Sequence, residues 1–444
     1  MTNMIVVREY ARLTTAPLTA AEISIDQAQI SATAFDWLCD LAANFRSNGA
    51  QLLQVDNRRW LKLDNYVGVL ESPCGQVIEV LPKLFTADDC VDTSRQLLVK
   101  LISNALQLTP RQAGEASLSL YQWTLTEWVM QQFLLALEHL LKRGMRFEYQ
   151  RVEEEQRYLR GQLNVVAQMR QPPGRQHHFQ IRHDVFVPDR PENRLLKSAL
   201  KVVCKAVKHP DNWRLAHELM NMLHEVPESA DIKADFNRWR NDRLLAHYQP
   251  ARPWCELVLY QHMPLSITGG YRGISMLFPM EKLFESYVAV ELRKAAYAFG
   301  DKSALNTQLR QQSLCSFGGQ PVFLLKPDLE LCIDDKRWIM DTKWKLLDMQ
   351  ARDNKFQLSQ ADFYQMFAYG HKYQHGRGTL VLIYPAWQKY PATTAPLYFK
   401  YSDTLNLMVL PFDLTNKNSA LEFIDLLCRE DEMALQQLEQ AAAF

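Results

Sequence analysis

A chain of 444 residues is too long for one hydrophobic core, and ordinary domain sizes divide it into about three units. Hydrophobic residues make up 47% and charged residues 23%, which excludes a disordered chain. The 50 Lys+Arg balance 50 Asp+Glu, so the overall basic charge of many nucleic-acid binders is missing, although a local basic groove fits inside a neutral total.

The opening stretch from Met1 reaches Arg8 and Glu9 after a short apolar run, so neither a signal peptide nor a membrane span is expected, and the expected location is the cytoplasm. Residues 1–110 read as a β-rich module. Asp56-Asn57, Asp64-Asn65 and Pro73-Cys74-Gly75 punctuate short apolar runs in the manner of a meander, and a helix is expected over Ile25–Phe45. Residues 111–265 read as mainly helical. Thr124 and Glu127 form a capping box ahead of Val129, Met130, Phe133, Leu137, Leu140 and Leu141 at helical spacing, with Gly144 as the stop. Further helices are expected at 192–208, 212–224 and 234–245, with an extended stretch near Phe179–Val187. From 266 to 444 the order becomes α/β: a helix over Met280–Tyr297, strands at Val322–Ile333 and Trp338–Trp344, a helix over Gln360–Tyr373, a strand at Thr379–Tyr384 and a last helix over Ala420–Ala442.

Several chemistries are excluded by what is missing. Gly-Lys occurs nowhere, so there is no Walker A loop, and any NTP hydrolysis belongs to another chain. His217-Glu218 is followed by Asn221 rather than a second histidine, which removes a zincin. His177, His178 and His183 sit among arginines with no carboxylate at metal spacing, and read as surface or phosphate-facing residues. Gly273-Ile-Ser275 lacks the second glycine of a nucleophile elbow. The eight cysteines are scattered without a C-x2-C pair, as expected of reduced, mostly buried thiols.

What remains is Lys326-Pro327-Asp328 followed by Asp341-Thr342-Lys343. Asp-x-Lys also occurs at Asp231, Asp334 and Asp353, but only the match at Asp341 lies in an apolar strand behind a Pro-Asp step. A turn centred on Asp335-Lys336 would set Asp328 opposite Lys343 and Glu330 opposite Asp341, all four on one sheet face. Carboxylates and an ammonium converging there call for a cation and an anionic substrate, and Mg2+ with its hard oxygen ligands and retained waters suits the role. The competing reading is a solvated hairpin face whose charges pair across strands. Glu285, beside the apolar stripe of the preceding helix, can reach the same site, and Gln365 and Tyr369 lie one turn apart on the following helix.

In this order, Glu285, Pro327-Asp328, Asp341-x-Lys343 and Gln365-x-x-x-Tyr369 resemble the PD-(D/E)XK nuclease superfamily, particularly its branch with a RecB-like Q-x-x-x-Y element. Gly75 through Lys83, Leu159-Arg160-Gly161-Gln162, Asn193-Arg194 with Lys197, Leu283-Phe284-Glu285 and Asp362 through Gln365 add a resemblance to the McrC family over roughly residues 60–385. That resemblance implies a restriction-endonuclease-like α/β domain at the C-terminus, behind the β-rich module and the helical region, in an α/β and α+β multidomain chain. It implies metal ligation by Asp328, Asp341, Glu285 and the Thr342 backbone carbonyl, catalysis with Lys343 and Gln365, and support from Tyr369 and Glu330. The implied cofactor is Mg2+, with Mn2+ as a substitute and no nucleotide on this chain. The implied partners are an McrB-like AAA+ GTPase ring, contacted through the N-terminal module and stimulated by this chain, and methylated double-stranded DNA recognised through that ring. Two other functions fit the same residues: a RecB-like repair exonuclease, and a regulatory adaptor of an AAA+ NTPase with a secondary nuclease role.

Overall fold

The structure, a computed structural model, describes residues 4–429 apart from 20–21, 48–51, 58, 84–90, 106–123, 173, 176, 241, 261–275, 301 and 310–311. The chain divides into two compact units, Met1–Leu125 with Met276–Phe444 and, inserted between these segments, Thr126–Ser275. The sequence separates 1–110 from 266–444, whereas both fall within the first unit.

The N-terminal part of that unit contains β1 (Met4–Arg8), β2 (Arg12–Thr14), β3 (Gln27–Gln29), α1 (Ala32–Ser47), β4 (Leu53–Asn57), β5 (Trp60–Leu63), β6 (Tyr66–Glu71), β7 (Val77–Leu81) and α2 (Val91–Ala105). All three turn signals fall between strands or at strand ends, and β4–β5 and β6–β7 pair antiparallel. The meander expectation fails beyond them, because β1 joins β7 in parallel and β2 joins β3 in parallel. The expected helix from Ile25 starts only at Ala32, since Gln27–Gln29 is used as a strand and Ser31 Oγ accepts the Ala34 N–H at 3.2 Å as a cap.

The second unit holds α3 (Leu125–Arg143), β8 (Glu148–Gln156), β9 (Gln162–Leu163), α4 (Val165–Met169), β10 (Phe179–Val187), α5 (Pro191–Ala206), α6 (Pro210–Met222), α7 (Ile232–Arg238) and α8 (Arg252–Tyr260). In α3, Val129, Met130, Phe133, Leu137 and Leu140 are buried as their spacing requires. The Glu127 carboxylate accepts the backbone N–H groups of Lys208 and His209, at 2.5 and 3.1 Å, and so holds the start of α6. The expected helix 234–245 is split, because Asp242 accepts the Leu245 N–H and starts a 3-10 turn over Arg243–Tyr248. His178 and His183 do have carboxylates near them, Glu155 at 3.0 Å and Glu154 at 3.5 Å across the β8–β10 ribbon. Among the described cysteines only Cys255 is buried, while Cys74 and Cys315 are exposed, so the expectation of mostly buried thiols is not met.

The chain re-enters the first unit at β11 (Met276–Pro279), which pairs antiparallel with β6 and completes the sheet β1-β7-β6-β11. It continues without a break into α9 (Met280–Ala296), whose first N–H is donated to Asn65 O at 2.8 Å. Then come β12 (Ala304–Thr307), β13 (Gln312–Phe317), β14 (Gln320–Leu325), β15 (Leu329–Ile333), β16 (Lys336–Thr342), α10 (Gln360–Tyr373), β17 (Gly378–Pro385), β18 (Leu397–Lys400) and β19 (Leu405–Phe412). Residues 419–429 are helical, and the remainder of the last expected helix lies outside the described residues. Six strands form one mixed sheet in the order β12-β15-β16-β17-β19-β18, with β16, β17 and β19 mutually parallel. Parallel neighbours need a crossover, and α10 supplies it between β16 and β17. Met366 and Tyr369 of α10 pack on Ile339, Leu380, Leu382 and Leu407 of the sheet.

The expected strand Val322–Ile333 is two strands in different sheets. Proline cannot donate to a ladder, and the break falls at Lys326-Pro327-Asp328, with β14 pairing to β13 and β15 to β16. The turn centres on Asp334-Asp335, with Asp334 at φ 50°, so Glu330 faces Ile339 rather than Asp341. A shift of two residues leaves every side chain on its expected face.

Gly68 makes the β6–β11 contact possible: a Cβ there would lie 2.0 Å from the Met276 carbonyl oxygen, and its φ of +134° strains any L residue. Gly68→Ala should therefore lower stability by roughly 2 kcal/mol or more and shift the start of α9. A denaturation midpoint equal to that of the wild type would show that β11 does not depend on this approach.

Candidate active site

Asp341, Thr342 and Lys343 stand at the end of β16, where Asp341 and Thr342 pair with Leu382 and Ile383 of β17 and Lys343 donates its N–H to Ile383 O at 2.9 Å. Asp328 lies just before β15, one residue beyond the Leu329–Met340 pair. Its Oδ2 accepts from the Thr342 amide at 2.8 Å and the Thr342 hydroxyl at 2.7 Å. Thr342 thus fixes one carboxylate while its neighbours in sequence carry the other charged groups.

Asp341 is 2% exposed. Lys343 Nζ lies 2.7 Å from its Oδ2 in a buried ion pair, although the angle is not that of a regular hydrogen bond. Burial pushes the Asp341 carboxyl up to about 7, the neighbouring Asp328 adds to the rise, and Lys343 opposes it. Asp328 is raised by burial and then by Glu285, against the Thr342 hydrogen bonds. For Lys343 burial disfavours the charge, but Asp341, Asp362 and Asp328 together outweigh it and raise the pKa.

The ammonium is held from a second side. Lys343 donates to Gln365 Oε1 at 3.0 Å, and Gln365 Nε2 donates to the Tyr369 hydroxyl at 2.7 Å. The two α10 residues one turn apart therefore act in series on the lysine, which fixes the orientation of the amide. Asp362 lies 3.8 Å from Lys343 Nζ and accepts from Tyr384 OH at 3.2 Å. Asp362 is not among the expected site residues; its position one turn N-terminal of Gln365 on the same helix is the signal for this role.

Glu285, 8% exposed, is near enough to raise Asp328, but its direct bonds are to Lys282 at 2.6 Å and Gln308 at 3.3 Å. Glu330 is not brought into this cluster: it accepts from Asn306 at 2.8 Å and pairs with Arg337. Among the described residues no three His, Cys, Asp or Glu side chains form a ready-made metal cage. Mg2+ rarely uses such a cage, and takes one or two carboxylates plus water and substrate oxygens. Two neighbouring carboxyls, Asp341 and Asp328, both held above their usual range by burial, fit a site that a divalent cation would complete.

The chain belongs to the family of the McrBC 5-methylcytosine restriction system component, whose family model matches residues 61–385. The fold is similar to a chain of the half-complex from the tetradecameric assembly of Thermococcus gammatolerans McrB AAA+ hexamers with bound McrC. That match has 16% identity and a TM-score of 0.69 over 96% of this chain and 100% of that one. A second match, to the Thermococcus gammatolerans McrBC complex, has 19% identity and a TM-score of 0.51, covering 66% of this chain and 88% of that one. No curated protein matches significantly. No described helix is long and apolar enough to cross a membrane.

Because the folded state favours neutral Asp341, the stability contributed by this residue falls as pH rises from 3.8 to about 7, where only the unfolded chain ionises freely, and is level above. Asp341→Asn should accordingly raise the melting temperature at pH 8, by on the order of 1–3 kcal/mol of stability. Mg2+ should raise the melting temperature of the wild type and leave Asp341→Asn unmoved. Equal Mg2+ responses would place the cation elsewhere.

Proposed function

We propose that this chain is the nuclease subunit of an McrBC-type restriction system, a Mg2+-dependent DNA endonuclease of the PD-(D/E)XK kind, working with an McrB-like AAA+ GTPase that recognises methylated double-stranded DNA and that it stimulates. The observation that carries the reading is the contact of Asp341, Lys343, Gln365 and Tyr369 at one strand end, with Asp328 locked beside them by Thr342. The family membership and the likeness to assemblies containing McrB and McrC support it over a free-standing RecB-like exonuclease.

Asp328 and Asp341 would hold the ion, with the Thr342 carbonyl and Glu285 as further donors and Mn2+ as a substitute. When bound, Mg2+ supplies charge stabilisation at the scissile phosphodiester and lowers the pKa of an attacking water. Lys343, charged and tethered by Gln365, orients that water or stabilises the negative charge that builds on phosphorus oxygens. Thr342 keeps Asp328 aimed at the same point, and Asp362 keeps the ammonium from leaning wholly onto Asp341.

Lys343→Ala should reduce cleavage of methylated DNA, in the presence of the ring partner and GTP, by about 100-fold or more. Lys336→Ala and Lys355→Ala, in the other Asp-x-Lys matches, should leave it within about twofold. Equal losses at all three would make the site a generic basic surface. A cluster of this kind acts on one phosphodiester at a time, so double-strand cutting needs two copies or two visits. Mixing wild type with excess Asp341→Ala chain should accumulate nicked circles; linear product alone, at a proportionately lower rate, would mean that one subunit cuts both strands.

A further inference from the structure

Next to Lys343 the first unit contains a cleft of about 840 Å³. One wall is C-terminal, with Lys345, Trp387 and Lys389; the other is N-terminal, with Tyr10, Lys62 and Lys83. Lys62 lies on β5, and Lys83 follows β7. Each wall pairs a lysine with an aromatic ring: Lys83 Nζ is 5.8 Å from the centroid of Tyr10, and Lys389 Nζ is 5.8 Å from that of Trp387.

The walls are fastened together by Glu9. This side chain is fully buried, and its Oε1 accepts from the Lys83 backbone N–H at 2.7 Å and from Trp344 Nε1 at 2.8 Å. Its Oε2 is buried with no hydrogen-bond partner, and burial pushes the carboxyl up to about 7. A buried acid is costly, and this one is held by a donor from each wall. Trp344 adjoins Lys343 in sequence, and its ring lies 5.4 Å from Phe284, the neighbour of Glu285. Glu9 thus ties the N-terminal wall to the residue that follows Lys343.

Five lysines (Lys62, Lys83, Lys343, Lys345 and Lys389) and four carboxylates line the cleft: Asp348 is paired with Lys389 at 2.7 Å, Asp362 is engaged with Tyr384 and Lys343, Glu9 is the buried fastening, and Glu281 is near enough to Tyr10 to act on its hydroxyl. Lysines along a track with aromatic rings beside them are the means by which proteins hold a single strand: phosphates on the ammonium groups, bases against the rings. The volume is that of a small-ligand pocket, enough for a few nucleotides of one strand.

We propose that this cleft carries one DNA strand to Lys343, with Lys62 and Lys83 of the N-terminal sheets holding its phosphates and Tyr10 and Trp387 facing its bases. The inference rests on the nuclease reading for its direction, but not for its test. Binding of a short labelled single-stranded oligonucleotide to the full chain is measured by anisotropy in EDTA over a series of KCl concentrations. Lys62→Glu and Lys83→Glu should each weaken binding roughly fivefold or more and reduce the slope of log affinity against log salt by about 0.7. Lys62→Gln and Lys83→Gln should act in the same direction, and Lys205→Glu, in the second unit, should change nothing. Absence of binding by the wild type, unchanged binding in the Lys62 and Lys83 variants, or an equal loss at Lys205 would overturn the proposal. Competition by an oligoglutamate peptide as strong as that by unlabelled DNA would also overturn it, in favour of an acidic protein segment. If wild-type cleavage fails while the lysine dependence holds, the nuclease reading falls and the cleft stands; cleavage by wild type with no lysine dependence gives the converse.

Discussion

Asp341 is a carboxylate placed almost out of water beside a second carboxylate, and the surrounding structure compensates for that placement. β16 cannot drop it into solvent, because its neighbours Met340 and Thr342 are locked into the parallel ladder with β17. Lys343 supplies part of the missing positive charge and is itself buried enough to need Asp362 and Gln365. Gln365 in turn needs Tyr369, which is why the pair is spaced by one helical turn on α10. Each polar group leans on the next, and the chain of partners ends at the ion pair of Lys343 with Asp341. A half-satisfied buried network is unfavourable unless something completes it, and under the proposed function a cation with an anionic substrate would do so.

Much of this was legible in the residues. The Pro-Asp step, the Asp-x-Lys inside an apolar strand and the Gln-Tyr pair each carry a local physical signal, and α9, α10 and β17 follow from hydrophobic periodicity. The register of the β15–β16 hairpin was not legible, because Asp334-Asp335 and Asp335-Lys336 are both plausible turn centres and only the buried Leu331–Trp338 pair decides between them. Glu330 looked like a site residue from alternation alone; its exclusion depends on Arg337 and Asn306, the latter on a strand the sequence did not announce. Glu9 and Trp344 meet across 335 positions, and no local pattern predicts such a contact.

A β-rich N-terminal texture followed by helices suggests separate modules, but β11 closes the N-terminal sheet and then becomes α9, the helix that carries Glu285. The N-terminal strands are therefore part of the scaffold that positions the site. The segment 126–275 is a unit of its own, and its family-like Asn193 is a structural hub: it donates to Arg146 O and Pro188 O and accepts from Tyr248, each at 2.8 Å.

The central claim is that Asp328 and Asp341 form a divalent-cation site beside Lys343. Crystals of the full chain soaked in Mn2+ test it directly by anomalous scattering. The account predicts a peak within about 2.3 Å of a carboxylate oxygen of each aspartate, absent in Asp341→Asn. A well-ordered soaked crystal with no peak there, or with its only peak elsewhere, would contradict it.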